Sequence, residues 1–134
     1  MKEDIEFLPV ENVQLAVIRE KNNDDEVLWS VHILNKNKEK ISNVLISSKG
    51  YGEKNGEKQS TSILRHFIEQ VESGESAIIE PIDPDLFHLF NEYWVSYYIG
   101  DQIYDKKFIF VPGSLNTNYI SFIDMIQKEG ILHS

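Results

Sequence analysis

The sequence predicts a mainly-β fold: a single-domain antiparallel β-sandwich, with one to three short helices, extending over residues 1–134. Three observations carry this prediction. Several segments alternate apolar and polar residues, and short polar turns separate them. A third concerns the core: 41% of the 134 residues are hydrophobic and none is cysteine, so apolar burial rather than disulfides must hold the fold together. No linker or internal repeat divides the chain.

The first strands are predicted near the N-terminus. Val13–Arg19 and Val27–Asn35 alternate in the manner of strands, and one face of the second segment is entirely apolar, which is typical of a central strand. Val44–Tyr51 reads as a third strand. Because short polar turns join these three segments, we expect them to form a three-stranded antiparallel meander.

The clearest hairpin is predicted in the C-terminal half. Tyr93–Ile99 and Ile103–Val111 are rich in aromatic and β-branched residues, and Gly100 lies in the short turn between them. Alternation places Trp94 and Tyr98 on the face opposite the expected core, so this second face is a candidate exposed aromatic patch. A shorter strand is predicted at Ala77–Ile82.

The segment Ser60–Glu72 supports two readings. Its apolar residues share one helical face: Ile63, Leu64, Phe67, Ile68 and Val71. The alternative fold is therefore α+β, with a helix at 61–72 packed on an antiparallel sheet. Two further short helices are predicted, one beginning at Asp83-Pro84, where Asp caps and Pro occupies the first turn, and one at Asn118–Gln127.

Composition excludes several classes of function. The absence of cysteine excludes thiolate metal sites and cysteine nucleophiles. A net charge of −9 disfavours nucleic acid as a partner, because affinity for phosphates comes from Lys and Arg. Acidic residues interrupt the N-terminus, and no apolar run approaches the roughly 20 residues of a membrane span. We therefore expect no membrane association and a cytoplasmic location.

No catalytic, metal-binding or cofactor-binding motif is found. The acidic residues around Glu80 and Asp83 match no calcium loop, and helix capping accounts for the aspartates. The adjacent pair Arg65 and His66 has the composition of an acid–base or anion site, but the sequence places no nucleophile beside it. The candidate interaction surface consists of four residues: Arg65, His66, Trp94 and Tyr98.

Several short motifs resemble a known group of proteins. These motifs are Val31–Asn35, Ile41–Ile46, Ser60–His66 and Asn91–Val95. They resemble a family of short, uncharacterised bacterial proteins, some of which carry the label phenylalanyl-tRNA synthetase alpha subunit. A class II synthetase needs two Arg-bearing motifs that grip ATP. This chain has only two arginines, Arg19 and Arg65, and neither lies in such a motif, so no synthetase residue or activity carries over.

A second resemblance is architectural. A strand ending in Asn35, a polar turn, an Ile/Val strand and a Gly-rich loop are similar to immunoglobulin-like sandwich modules. This resemblance implies that 60–72 is a strand, and we adopt it over the α+β alternative.

Two functions are compatible with these residues. The first is a non-catalytic protein-interaction module that binds another protein, or forms a homodimer through a sheet edge. The second is a small-molecule-binding protein or enzyme with a His/Arg pocket, in which Arg65 holds an anionic ligand and His66 transfers a proton.

Overall fold

The computed structural model describes residues 6–133. Within this range the chain consists of strands joined by turns, with two single-turn 3₁₀ helices at Pro84–Leu86 and Thr117–Tyr119. The strands are β1 (Leu8–Pro9), β2 (Val13–Lys21), β3 (Val27–Asn35), β4 (Ile41–Lys54), β5 (Glu57–Ser60), β6 (Leu64–Val71), β7 (Ser76–Pro81), β8 (Phe90–Ile99), β9 (Gln102–Phe110), β10 (Ser121–Ile123) and β11 (Lys128–His133).

The strands form two sheets. Sheet A has the order β1-β9-β8-β4, and both β5 and β6 pair with β4 on its far side. Sheet B has the order β10-β11-β2-β3-β7. Every pairing is antiparallel except that between β1 and β9, which is parallel. The prediction of a mainly-β sandwich is confirmed.

One hydrophobic core lies between the two sheets. Sheet B contributes apolar residues such as Leu15, Val17 and Val31, which are fully buried. Sheet A contributes larger side chains, including Tyr97 and Phe108. Since alternate residues of each strand face this core, the opposite residues form the outer faces of the sandwich.

The predicted three-stranded meander is wrong in one respect. β2 and β3 pair over their full lengths, but β3 has β7 as its other neighbour, and β4 lies in sheet A. The chain crosses between sheets in the turn after Asn35. Alternation makes a strand amphipathic without specifying which sheet it joins, and both sheets offer an apolar inner face. The central position predicted for β3 is confirmed.

The α+β alternative is also wrong, because β6 occupies the segment assigned to a helix. The helical spacing of its apolar residues does not mark a core face: Leu64 and Phe67 are 50% and 60% exposed. Val71 is buried, whereas Ile68 is only partly so. As β6 lies at the edge of sheet A, two of its large apolar side chains remain in solvent.

The other two helix predictions have different outcomes. The helix beginning after Asp83 exists as a single 3₁₀ turn, and Asp83 Oδ1 accepts a hydrogen bond of 2.9 Å from the backbone N–H of Asp85. The helix predicted at Asn118–Gln127 is wrong, since this segment contains the end of a 3₁₀ turn, β10 and a further turn. Three of its apolar residues, Ile123, Met125 and Ile126, instead pack in a cluster with Ala16, Ile18 and Leu34 of β2 and β3. Over residues 6–133 no helix has the length and apolar character needed to cross a membrane.

Candidate functional site

The outer face of sheet A carries a group of exposed apolar side chains. In the register of the sheet, Leu45 on β4 lies opposite Phe67 on β6, and Ser47 lies opposite Trp94 on β8. Leu45, Phe67 and Trp94 are 55%, 60% and 45% exposed. We call these three residues the outer patch. The solvent face of an antiparallel sheet is ordinarily polar, so a cluster of this kind requires an explanation.

Polar groups border the outer patch. The indole Nε1 of Trp94 donates a hydrogen bond of 3.2 Å to Asp105, and the Lys107 ammonium lies 4.9 Å from the centre of the Trp94 ring. Both contacts favour this orientation of the indole. Arg65 lies opposite Ser47, on the other side of β4 from Trp94. Within residues 6–133 the Arg65 guanidinium has no ion pair or hydrogen bond, so it remains available to a carboxylate.

The structure brings three of the four predicted interaction residues to this face. Arg65 and Trp94 flank Ser47, and Tyr98 lies on the same face, opposite Ser42 and half-buried. His66 is separated from them, because adjacent residues of a strand point to opposite faces. A shallow depression of about 240 Å³ reaches both Arg65 and His66. The imidazole itself, however, bonds to a carboxylate on the inner side of the sheet.

That carboxylate belongs to Glu80 on β7, and it joins the two sheets. His66 Nε2 lies 2.6 Å from Glu80 Oε1, and the Ser48 hydroxyl donates to the same oxygen at 2.8 Å. The Tyr93 hydroxyl donates to Oε2 at 3.1 Å. The Glu80 side chain is only 11% exposed. Three strands of sheet A therefore hold one carboxylate from sheet B.

A β-bulge directs Glu80 inward. Simple alternation from the buried Ile79 would place Glu80 on the outer face. In the register between β3 and β7, however, His32 pairs with Ile78 and Val31 pairs with Glu80, so Ile79 is the extra residue. Glu80 thus shares the inner face with Val31. Bulges redirect side chains in this way, and period-two alternation does not reveal them.

Burial fixes the protonation state of one member of the cluster. Burial, and then the charge of Glu80, raise the pKa of Tyr93 far above its ordinary value of 10. Tyr93 is therefore protonated at neutral pH and is the donor to Glu80. Ser48 and His66 both contact Oε1, and no hydrogen bond joins them to each other in the described chain. The arrangement consequently lacks the nucleophile–base–carboxylate relay of a hydrolase.

An open cleft of about 570 Å³ lies above this cluster. Ser48, Glu80 and Tyr93 form part of its surface, and its walls are largely apolar, with Leu28 and Trp29 on one side and Leu64 on the other. Sequence reasoning missed this site because the polar residues of the Glu80 cluster come from four separate strands, β4, β6, β7 and β8. Within residues 6–133 no group of three or more His, Asp or Glu side chains is placed to hold a metal ion.

A buried histidine, His32, lies on the outer side of sheet B. His32 is 3% exposed, and its Nε2 is 2.8 Å from the Ser30 hydroxyl. Burial lowers its pKa below 6.5; the carboxylate of Glu20 opposes this shift, and Lys128 adds to it. The imidazole is thus held in its neutral form.

The lowered pKa of His32 predicts a pH dependence of stability. Below its ordinary value of 6.5, the unfolded chain binds a proton that the folded chain disfavours. Stability present above pH 6.5 is therefore lost as the pH falls through 6.5 toward the folded pKa. Each unit of pKa difference corresponds to about 1.4 kcal/mol.

Urea unfolding of the wild type and His32→Phe between about pH 7.5 and about pH 5.5 measures this effect. The free energy of unfolding of the wild type should decline more steeply with falling pH than that of His32→Phe. Parallel curves would contradict the assignment, because the remaining titratable groups are common to both proteins.

Comparisons of this chain with protein-family models, with curated proteins and with solved structures found no match. The family resemblance and the immunoglobulin-like topology therefore stay predictions.

Proposed function

We propose that the protein is a non-catalytic interaction module that binds another protein through the outer patch. The observation that carries this proposal is the half-exposure of Leu45, Phe67 and Trp94 side by side on three adjacent strands. Contiguous apolar groups rimmed by polar residues are typical of protein contact surfaces.

The residues at the rim favour a partner of particular chemistry. Trp and Arg are the residues most enriched at binding hot spots, and both occur here. Trp94 is already oriented by Asp105 and Lys107, so little side-chain entropy is lost when a partner covers it. The unpaired Arg65 suits a carboxylate. We therefore expect a partner surface with an apolar centre and an acidic residue placed against Arg65.

A homodimer is the second form of this proposal. β6 pairs only with β4, so its other edge is free within the described chain. Phe67 of the outer patch lies on this edge strand. Two copies could meet along these edges. The net charge of −9 opposes self-association at long range, so we favour a different protein as the partner.

Replacing the two aromatic residues of the outer patch should abolish partner capture. In Phe67→Thr/Trp94→Thr the strands keep β-favouring residues while the contact area is lost. Truncating hot-spot side chains costs about 2 kcal/mol or more, so affinity should fall at least about 30-fold. The measurement is capture of a stoichiometric partner from source-cell lysate by each immobilised protein.

Tyr119→Thr/Phe122→Thr is a matched control, since these aromatics are 63% and 55% exposed outside sheet A. It should retain the partner. Light scattering over a concentration series detects the homodimer form, which the outer-patch variant should also lose. Equal capture by both variants, or neither a partner nor a dimer with the wild type, would overturn the proposal.

A further inference from the structure

The cleft above Glu80 has the construction of a small-molecule site. Its volume of about 570 Å³ lies in the usual range for such sites, roughly 300–1,000 Å³. Aliphatic and aromatic side chains form its walls, and the polar groups converge at one place on its surface. This cleft is separate from the outer patch: on β4, Ser48 faces the cleft while Ser47 faces the patch.

Glu80 retains the capacity to accept a further hydrogen bond. A carboxylate offers about four acceptor positions. Ser48 and His66 occupy two at Oε1, and Tyr93 occupies one at Oε2. Within residues 6–133 no other group donates to Oε2, so this oxygen keeps one position, and Glu80 contributes to the cleft surface.

The charges around the cleft favour a cation. Asp83 and Glu80 both line the cleft, and of the two Asp83 is the exposed carboxylate. Lys49 also lines it, but its Nζ lies 3.6 Å from Glu92 and is engaged there. In the described chain no Lys or Arg pairs with Glu80, whose ion-pair partner is His66. A buried carboxylate without a permanently charged partner gains most from a cation that also excludes water.

From these observations we infer that the cleft binds a small organic cation, an ammonium group on an apolar or aromatic body, with the ammonium donating to Glu80. Leu28 and Trp29 would cover the apolar body. The ammonium would take the remaining acceptor position of Oε2, and the negative field of the protein would favour its approach. An anionic ligand would meet Glu80 and Asp83 and is disfavoured. This inference does not depend on the proposed function.

Three indole compounds of similar size and different charge test the inference: tryptamine (cationic), 3-ethylindole (neutral) and indole-3-propionate (anionic). Binding is followed by amide chemical shifts of the ¹⁵N-labelled full chain. Tryptamine should bind saturably and at least about 10-fold more tightly than the other two. Its largest shifts should fall on residues around the cleft, such as Gly50, Glu80 and Ile82, and spare those around Trp94.

Glu80→Gln should reduce tryptamine affinity to the level of 3-ethylindole, because the amide keeps an acceptor for Ser48 while losing the charge. Asp83→Asn should change it less than threefold. Leu28→Ala gives a second probe if Glu80→Gln unfolds: Leu28 is 51% exposed, so its truncation spares the core but should weaken binding severalfold. Ile78→Ala, truncating a residue 62% exposed outside the cleft, is the matched control and should have no effect.

Four results would overturn the inference. The first is no saturable binding of tryptamine, and the second is equal affinity for the three indoles. The third is a loss of binding in Asp83→Asn with none in Glu80→Gln. The fourth is a set of tryptamine-induced chemical-shift changes that is confined to residues of the outer patch.

Discussion

Replacing Asn35 with alanine should lower the free energy of unfolding by about 2–4 kcal/mol, although the substitution removes few atoms. Asn35 is fully buried at the end of β3, where the chain leaves sheet B for sheet A. Its Nδ2 donates to the carbonyls of Glu39, Val71 and Glu72, and its Oδ1 accepts from Asn37. One side chain thus ties the β3–β4 turn to the end of β6.

The cost arises from the groups left behind. Alanine removes the hydrogen-bond donor to the buried carbonyl of Val71 without supplying another, and an unsatisfied buried acceptor costs about 1–3 kcal/mol. Asn35→Asp has nearly the same shape but turns an acceptor toward the three carbonyls, so it should be more destabilising than Asn35→Ala. Urea unfolding with a CD readout measures both.

Asn23→Ala provides the matched control, because Asn23 is exposed in the β2–β3 turn and makes no side-chain hydrogen bond within the described chain. It should change the free energy of unfolding by less than about 0.5 kcal/mol. If Asn35→Ala changed the free energy of unfolding as little as Asn23→Ala, water would have to replace the lost donor. The hydrogen bonds of Asn35 would then contribute no net stability.

Local alternation was sufficient to predict several strands. β3 and the β8–β9 hairpin were predicted within a few residues, because their period-two patterns follow directly from which face is buried. The same pattern correctly placed Tyr93 inside and Trp94 outside. Local alternation does not predict which strands pair, because pairing depends on segments that are distant in the sequence. The membership of β4 in sheet A therefore had no local signal.

At the candidate site, too, the sequence predicted local features but not those that depend on distant segments. On a helix, the consecutive residues Arg65 and His66 would share the polar face, which is why they looked like one pocket. On β6 they lie on opposite faces, so one borders the outer patch and the other bonds Glu80. Glu80 itself faces the cleft only because of the bulge at Ile79, which the sequence does not signal.

The two surfaces can be altered independently, which makes both proposals testable in one protein. β4 and β6 contribute to each, with Ser47 and Arg65 on the outer face and Ser48 and His66 on the inner. A substitution at Phe67 or Trp94 leaves the Glu80 hydrogen bonds intact. Conversely, Glu80→Gln leaves the outer patch unchanged. Loss of both partner capture and tryptamine binding in a single variant would therefore indicate a damaged fold rather than a damaged site.

Gly130 on β11 is the second position where a small change should have a large effect. It lies opposite Ile18 on β2, and a Cβ atom added there would overlap the backbone carbonyl oxygen of Val17 and lie 2.8 Å from Ile18 Cδ1. A backbone oxygen in a paired strand cannot move without breaking the ladder. Gly130→Ala should therefore reduce the free energy of unfolding by about 2–3 kcal/mol through overpacking.

Gly50→Ala is the comparison that isolates this cause, since it is also a glycine within a strand. A Cβ at Gly50 would meet the side chains of Thr61 at 3.1 Å and of Leu89 and Asn91 at 3.4 Å, and none of these three contacts is with a backbone atom. Alanine also restricts the unfolded chain, which stabilises by about 0.4–1 kcal/mol, so the net change should lie within about 1 kcal/mol of zero. Equal losses in the two variants would attribute the effect to strand glycines in general. A loss confined to Gly130→Ala would show that the close approach of β11 to β2 is what requires glycine.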